Sequence, residues 1–160
     1  MGVQAGDELP GWTMESVDRE KMKTMAMLLE DSNLIHTDAA VVAALGMGDR
    51  PVNQGPTNLA YALNMLAKWS GGFDGITGVN VRFLANVFSE DRVTAHGRVL
   101  SIDDGHDAHR GDEGHSDEGH SDVGGDVGGG AQLAECEIRL EGPAGTVIQG
   151  TASVRLSGGR

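Results

Sequence analysis

The sequence predicts an α+β domain in which an antiparallel sheet wraps one central helix. Three observations carry this reading. Helical apolar spacing is confined to the first half of the chain, one of those helical runs is apolar around much of its circumference, and β-branched segments with partial alternation fill the second half. At 160 residues the chain can bury a sizeable core but does not suggest two independent domains, so residues 1–160 read as one domain.

The elements follow in order. "GWTMESVD" offers a first short strand. Asp18 then caps a helix through "REKMKTMAMLLE", with Met22, Met25, Ala26 and Leu29 on one face and the lysines on the other. "DAAVVAALG" fits a second, short helix behind Asp38, ended by Gly46. "GPTNLAYALNMLAKWSGG" fits a third: Pro56 suits its first turn, Leu59, Leu63, Leu66 and Ala67 make the apolar face, and Gly71 and Gly72 end it. Ala60, Ala62 and Met65 widen that face, as expected of a helix enclosed by a sheet. "ITGVNVRFLANVF" and "DRVTAHGRVLSI" read as strands paired across the turn "SED". "AQLAECEIRLEG" and "GTVIQGTASVRLS" read as two more, paired across "GPAG". Together they predict a four-strand antiparallel meander.

Charge is concentrated in one place. Residues 103–130 hold nine Asp and Glu against one Arg, a net −8 of the chain's −12, with nine glycines and four of the six histidines. "DEGHS" repeats in tandem there, and the tract has almost nothing to bury, which predicts a flexible insertion between strands. Such insertions are tolerated because loop-closure entropy grows slowly with length. His106, His109, His115 and His120 lie among its carboxylates without the spacing of a tetrahedral metal site; such a tract can bind a divalent metal weakly, but a solvated loop is the favoured reading and no metal site is assigned. The acidic balance argues against nucleic acid and anionic membranes as partners. No basic leader or span of ~18 apolar residues is evident, which predicts a soluble, cytoplasmic protein. The lone Cys136 reads as a buried strand residue.

The stretch "EDSNLIHTD" places Asp31, Asn33 and His36 where the first helix stops. Five residues apart on a continuous helix, Asp31 and His36 would lie ~140° apart, so they converge only if the chain bends. Asp, Ser and Asn favour such a bend because their side chains bond their own backbone. Spacing alone leaves open both an ordinary polar loop and a carboxylate–imidazole pair sharing a water.

The order of residues goes further. "DSNLIHTDAAVVAALGMGDRPVNQGPTNLAY" resembles the signature of the MaoC-like (R)-specific enoyl-CoA hydratases and 3-hydroxyacyl dehydratases. That family shows Asp-x-Asn-Pro-(Ile/Leu)-His-x-Asp, a short helix, then Pro-(Ile/Val)-x-His-Gly opening the central helix of a hot-dog fold. Asp31, Asn33, Ile35, His36 and Asp38 match, as do Pro51, Val52 and Gly55. Leu34 stands in place of Pro, Gln54 in place of His, and Pro56 where an aliphatic residue is common. Further on, "VRFLANVFSEDRVTAHGRV" resembles the family's strand, Phe-x-x-Pro-Val-x-x-Gly-Asp, strand passage; Glu30 stands where Gly often precedes the Asp, and Ala85, Asn86 and Glu90 replace expected Pro and Gly residues. The resemblance implies a lyase that reversibly hydrates trans-2-enoyl-CoA or dehydrates (R)-3-hydroxyacyl-CoA, without metal or organic cofactor. It implies that Asp31 and His36 hold the water, that Asn33 positions the loop, and that the Gly55 N–H receives the thioester oxygen. Asn53, Gln54 and Pro56 would then lie beside the substrate. A homodimer or higher homo-oligomer is implied, and the departures leave room for a partner subunit in a heteromeric hydratase acting on a bulky acyl chain; a non-catalytic binding or assembly subunit is a separate reading, carried by the His- and Asp-rich tract. A hot-dog thioesterase is the other reading, but its usual acidic residue on the central helix has no counterpart between Gly55 and Trp69.

Overall fold

The computed structural model describes residues 2–103 and 132–156. In chain order the elements are β1 (Trp12–Met14), α1 (Arg19–Leu28), α2 (Ala39–Ala44), α3 (Gly55–Ser70), β2 (Ile76–Phe83), β3 (Val93–Asp103), β4 (Gln132–Gly142) and β5 (Gly145–Leu156). Residues 104–131 join β3 to β4, so the flexible insertion expected at 103–130 lies outside the described residues except for Asp103.

The strands form one antiparallel sheet in the order β1-β3-β4-β5-β2, and α3 touches every one of them. Alternation explains the packing. Val93, Ala95 and Val99 of β3, Ala134, Cys136, Ile138 and Leu140 of β4, and Ala152 and Val154 of β5 share a core with Tyr61, Ala62, Met65 and Leu66 of α3. Gly97 lets the layers approach, because a Cβ there would lie 2.7 Å from the Leu9 side chain and 2.8 Å from that of Met65. The helix stops as its sequence dictates: Gly71 takes the left-handed conformation at φ 87°. Cys136 is buried in β4, and burial, with the neighbouring Glu135, pushes its thiol up to about 11.

Two expectations need correction. The segments on either side of "SED" do not pair with each other. β2 leaves the sheet at Phe83 and pairs along its length with β5, at the opposite edge from β1 and β3. The chain between β2 and β3 spends its backbone bonds elsewhere: Leu84 N–H on Val147 C=O, Val87 C=O on Asn53 N–H, and Ser89 N–H on Pro51 C=O. Alternation marks a strand but not its partner, and here the sheet closes around α3 by moving β2 to the far edge. Leu29 is also not core. It lies beyond the last turn of α1, 43% exposed, leaving Met22 and Ala26 as the buried stripe of that helix.

Candidate functional site

The Asp31–His36 bend is built by local hydrogen bonds. Helix α1 ends in a Schellman motif, in which Glu30 N–H donates to Met27 C=O at 3.2 Å and Asp31 N–H to Ala26 C=O at 2.8 Å. Glu30 takes the left-handed position, φ 51°, which turns the chain sharply off the helix axis. Two side-chain turns follow. The Asp31 carboxylate accepts Asn33 N–H at 3.0 Å, and the Asn33 carbonyl oxygen accepts Ile35 N–H at 3.3 Å, opening a 3₁₀ turn over Leu34–His36. Asp38 then caps α2 by accepting Ala40 N–H at 2.8 Å. The bend brings Asp31 Oδ2 to 3.2 Å from His36 Nε2.

The imidazole is held from both sides. His36 is 9% exposed, and its Nδ1 donates to the Val52 carbonyl at 2.6 Å, while Val52 N–H donates to Ile35 C=O at 2.9 Å. A carbonyl oxygen can only accept, so Nδ1 carries a proton and Nε2 is the nitrogen turned to Asp31. The Nε2–Oδ2 contact closes as a hydrogen bond when one proton lies between the two atoms. Such a pair can hold a proton and hand it to a neighbouring molecule.

Three residues after Val52, α3 begins at Gly55. Its N-terminus has no side-chain cap, and Pro56 lacks an N–H, so the first-turn donors of Gly55 and Thr57 are not met by a capping side chain. Asn53, buried, donates to Asn58 Oδ1 at 2.7 Å and ties the approach to the helix start. Gln54 is 1% exposed, and its amide nitrogen donates to the Met22 carbonyl at 2.9 Å. The side chain that the sequence sets beside the substrate thus fastens α1 to the start of α3. Pro56 is exposed in the first turn. Beside Asp31 lies an open groove of about 360 Å³, lined by Lys23, Ala26, Met27, Leu34 and Thr37.

Sequence reading missed three participants: the Val52 carbonyl, Arg50 and Asp91. Arg50 donates to Asp91 Oδ1 at 2.8 Å and to the Ser89 carbonyl, and its guanidinium lies 5.6 Å from the centre of the Phe88 ring. Asp91 is buried; its place fits the final Asp of the family's Phe-x-x-Pro-Val-x-x-Gly-Asp passage, but nothing local to "SED" foretells its pairing with Arg50. Among the described residues, no group of three or more His, Cys, Asp or Glu side chains is placed to hold a metal ion. Nor is any described helix long and apolar enough to cross a membrane.

The model of the MaoC like domain matches residues 7–118, which takes in β1, all three helices, β2, β3 and the whole Asp31–Gly55 segment. The chain belongs to the MaoC-like domain family. Solved structures agree in fold. The (R)-hydratase from A. caviae involved in PHA biosynthesis is 20% identical with a TM-score of 0.73, covering 98% of this chain and 99% of its own. The ChsH1-ChsH2 complex from Mycobacterium tuberculosis supplies a chain 17% identical with a TM-score of 0.70, covering 98% and 100%. A C-terminally truncated HadBC (3R-hydroxyacyl-ACP dehydratase) complex from the same organism is 14% identical with a TM-score of 0.64, covering 96% and 98%. At these identities the likeness is one of fold, the hot-dog arrangement of a sheet around a central helix. No curated protein matches the chain in sequence.

Proposed function

We propose that this MaoC-like chain is a hydro-lyase that reversibly adds water to trans-2-enoyl-CoA thioesters and dehydrates (R)-3-hydroxyacyl-CoA. The observation that carries the reading is the Asp31–His36 pair at 3.2 Å, with the far imidazole nitrogen fixed on Val52. In the hydration direction the pair orients a water and takes one of its protons as the oxygen bonds to the β-carbon. Negative charge moves to the thioester oxygen, where the Gly55 N–H and the positive end of α3 stabilise it. A proton returned to the α-carbon completes the addition. Asn33 holds the bend that brings the pair together. The groove beside Asp31, with Met27 and Leu34 on its walls, seats the acyl portion.

The hydrolytic alternative lacks its acid, since α3 carries no Asp or Glu. The assembly we propose is a homodimer or higher homo-oligomer. The fold likeness to chains of two named complexes keeps a heteromer as its competitor.

The test is an acyl-CoA panel assayed together for loss of enoyl absorbance and for free CoA release. Hydration without CoA release is expected, and Asp31→Asn or His36→Ala should lower kcat by roughly 10²–10⁴-fold, the usual worth of a general acid–base group. Variants as active as the parent would sink the mechanism. CoA release from saturated substrates would favour the thioesterase, and activity only with a second polypeptide would favour the heteromer.

A further inference from the structure

The carbonyl that fixes His36 is itself part of a clamped strip. On one side Val52 N–H is bonded to Ile35. On the other, Asn53 N–H donates to Val87 C=O at 2.7 Å, and Ser89 N–H donates to Pro51 C=O at 2.8 Å. Whatever fixes the turn at residues 87–91 therefore fixes the direction of the Val52 carbonyl. That turn is not held by local preference alone, because Glu90 sits in it at φ 72°, where a non-glycine residue is strained.

Asp91 and Arg50 supply the missing restraint. Asp91 Oδ2 accepts Phe88 N–H at 2.9 Å, closing the turn from within, while Asp91 Oδ1 receives Arg50 at 2.8 Å. The same guanidinium donates to the Ser89 carbonyl and lies against the Phe88 ring, so one side chain touches Phe88, Ser89 and Asp91 of the turn. Arg50 stands two residues before Val52, and its anchorage draws the strip onto the turn. From the opposite side Val17 bonds the turn twice, accepting Glu90 N–H at 2.8 Å and donating to Asp91 C=O at 3.0 Å. A planar fork suits this task better than a lysine, since an ammonium has neither donors spread over separate nitrogens in one plane nor a stacking face.

We infer that the Arg50–Asp91 ion pair is a positioning device for the His36 imidazole, acting through the turn at 87–91 and the Val52 carbonyl to keep the Nδ1 proton on that carbonyl and Nε2 facing Asp31. The activity arm of this inference rests on the hydratase reading, whereas its structural arm does not. Arg50 and Asp91 touch no reacting atom, so the expected signature is lost turnover with substrate affinity retained.

The experiment uses the full chain labelled with ¹⁵N-histidine, comparing the parent with Arg50→Met, Arg50→Lys and Asp91→Asn at one fixed pH below each melting temperature. His36 is assigned by its loss in His36→Gln. The parent should show His36 protonated at Nδ1. Arg50→Met and Asp91→Asn should shift the His36 ring signals toward a mixture of tautomers, with the other histidines unmoved. In the enoyl-CoA assay kcat should fall by roughly 10–100-fold, the scale of an ångström-sized misplacement, with KM within about threefold. Arg50→Lys should restore melting temperature more than turnover. Asp91→Asn removes the charge that holds Arg50 while keeping nearly the same side-chain volume, and decides the matter if Arg50→Met does not fold. Unchanged His36 signals in these variants, with only a lower melting temperature, would overturn the inference. A parent that hydrates no enoyl-CoA would sink the hydratase reading and leave the ring signals to judge the positioning role alone.

Discussion

Glu30 at φ 51° and Glu90 at φ 72° are the non-glycine residues with positive φ among the described residues, and both stand where the MaoC-like pattern has glycine. Each closes a turn that the site depends on: Glu30 turns Asp31 off α1, and Glu90 sits in the turn bonded to the strip that carries Val52. A side chain in the left-handed region costs roughly 1–2 kcal/mol, partly offset by the greater chain entropy that glycine loses on folding. Glu30→Gly and Glu90→Gly should therefore each stabilise the fold by about 0.5–1 kcal/mol, read as a higher denaturant midpoint at unchanged slope. Midpoints at or below the parent's would show that these side chains make compensating contacts. The two departures were visible in the sequence as exceptions to a pattern. Their physical meaning was not, because a φ angle is set by where the chain must go next. The same holds for Asp91, whose burial depends on Arg50 arriving from 41 positions earlier in the chain.

At the level of elements, caps and apolar spacing were legible because they are local. Asp18 caps α1 as its position suggests, accepting Glu20 N–H at 2.8 Å and Lys21 N–H at 3.2 Å. Those two backbone donors favour the ionised carboxylate and hold it below its usual range. A carboxyl depressed on folding adds stability above its unfolded value of 3.8, and that stability is lost as pH falls through the lower folded value. The melting temperature of Asp18→Ala should thus lie below the parent's at pH 7, with the gap narrowing below about pH 4 as the parent's own cap protonates. A gap constant from pH 7 to pH 3 would mean that the cap acts by shape and not by charge. Strand partnership, in contrast, was not legible. β2 and β3 each announce themselves by alternation, but which edge β2 joins is decided by closure around α3, a property no five-residue window contains. The bend at Asp31 lies between these cases. Its polar residues signalled a break in the helix, while the convergence on His36 also needed Val52, sixteen residues on.

At the scale of the whole molecule the fold class was readable, since one apolar helix and a set of alternating strands admit few layered arrangements. What the acidic tract contributes is a separate question, and the strands on either side of it make that question testable. β3 and β4 stay paired to the ends of the described strands, past a register shift between Val99 and Ser101, with Asp103 opposite Leu133 and Ile102 opposite Ala134. Facing ends of an antiparallel pair can be joined by a two-residue turn of the Asn-Gly type. The long connection through residues 104–131 is therefore not required by sheet geometry. Shortening a connection also lowers the entropy cost of closing it, by about 0.6 kcal/mol for each halving of a flexible loop. Replacing residues 104–132 with Asn-Gly, so that the turn joins the paired Asp103 and Leu133, removes a large share of the chain's negative charge while leaving Asp31, His36 and α3 untouched. The shortened protein should melt at or above the parent's temperature, and its kcat and KM on enoyl-CoA should stay within about twofold. A fall in melting temperature would mean that the tract packs on the fold. A rise in KM alone would mean that it meets the substrate, and a change in sedimentation at unchanged activity would place it at a contact between subunits.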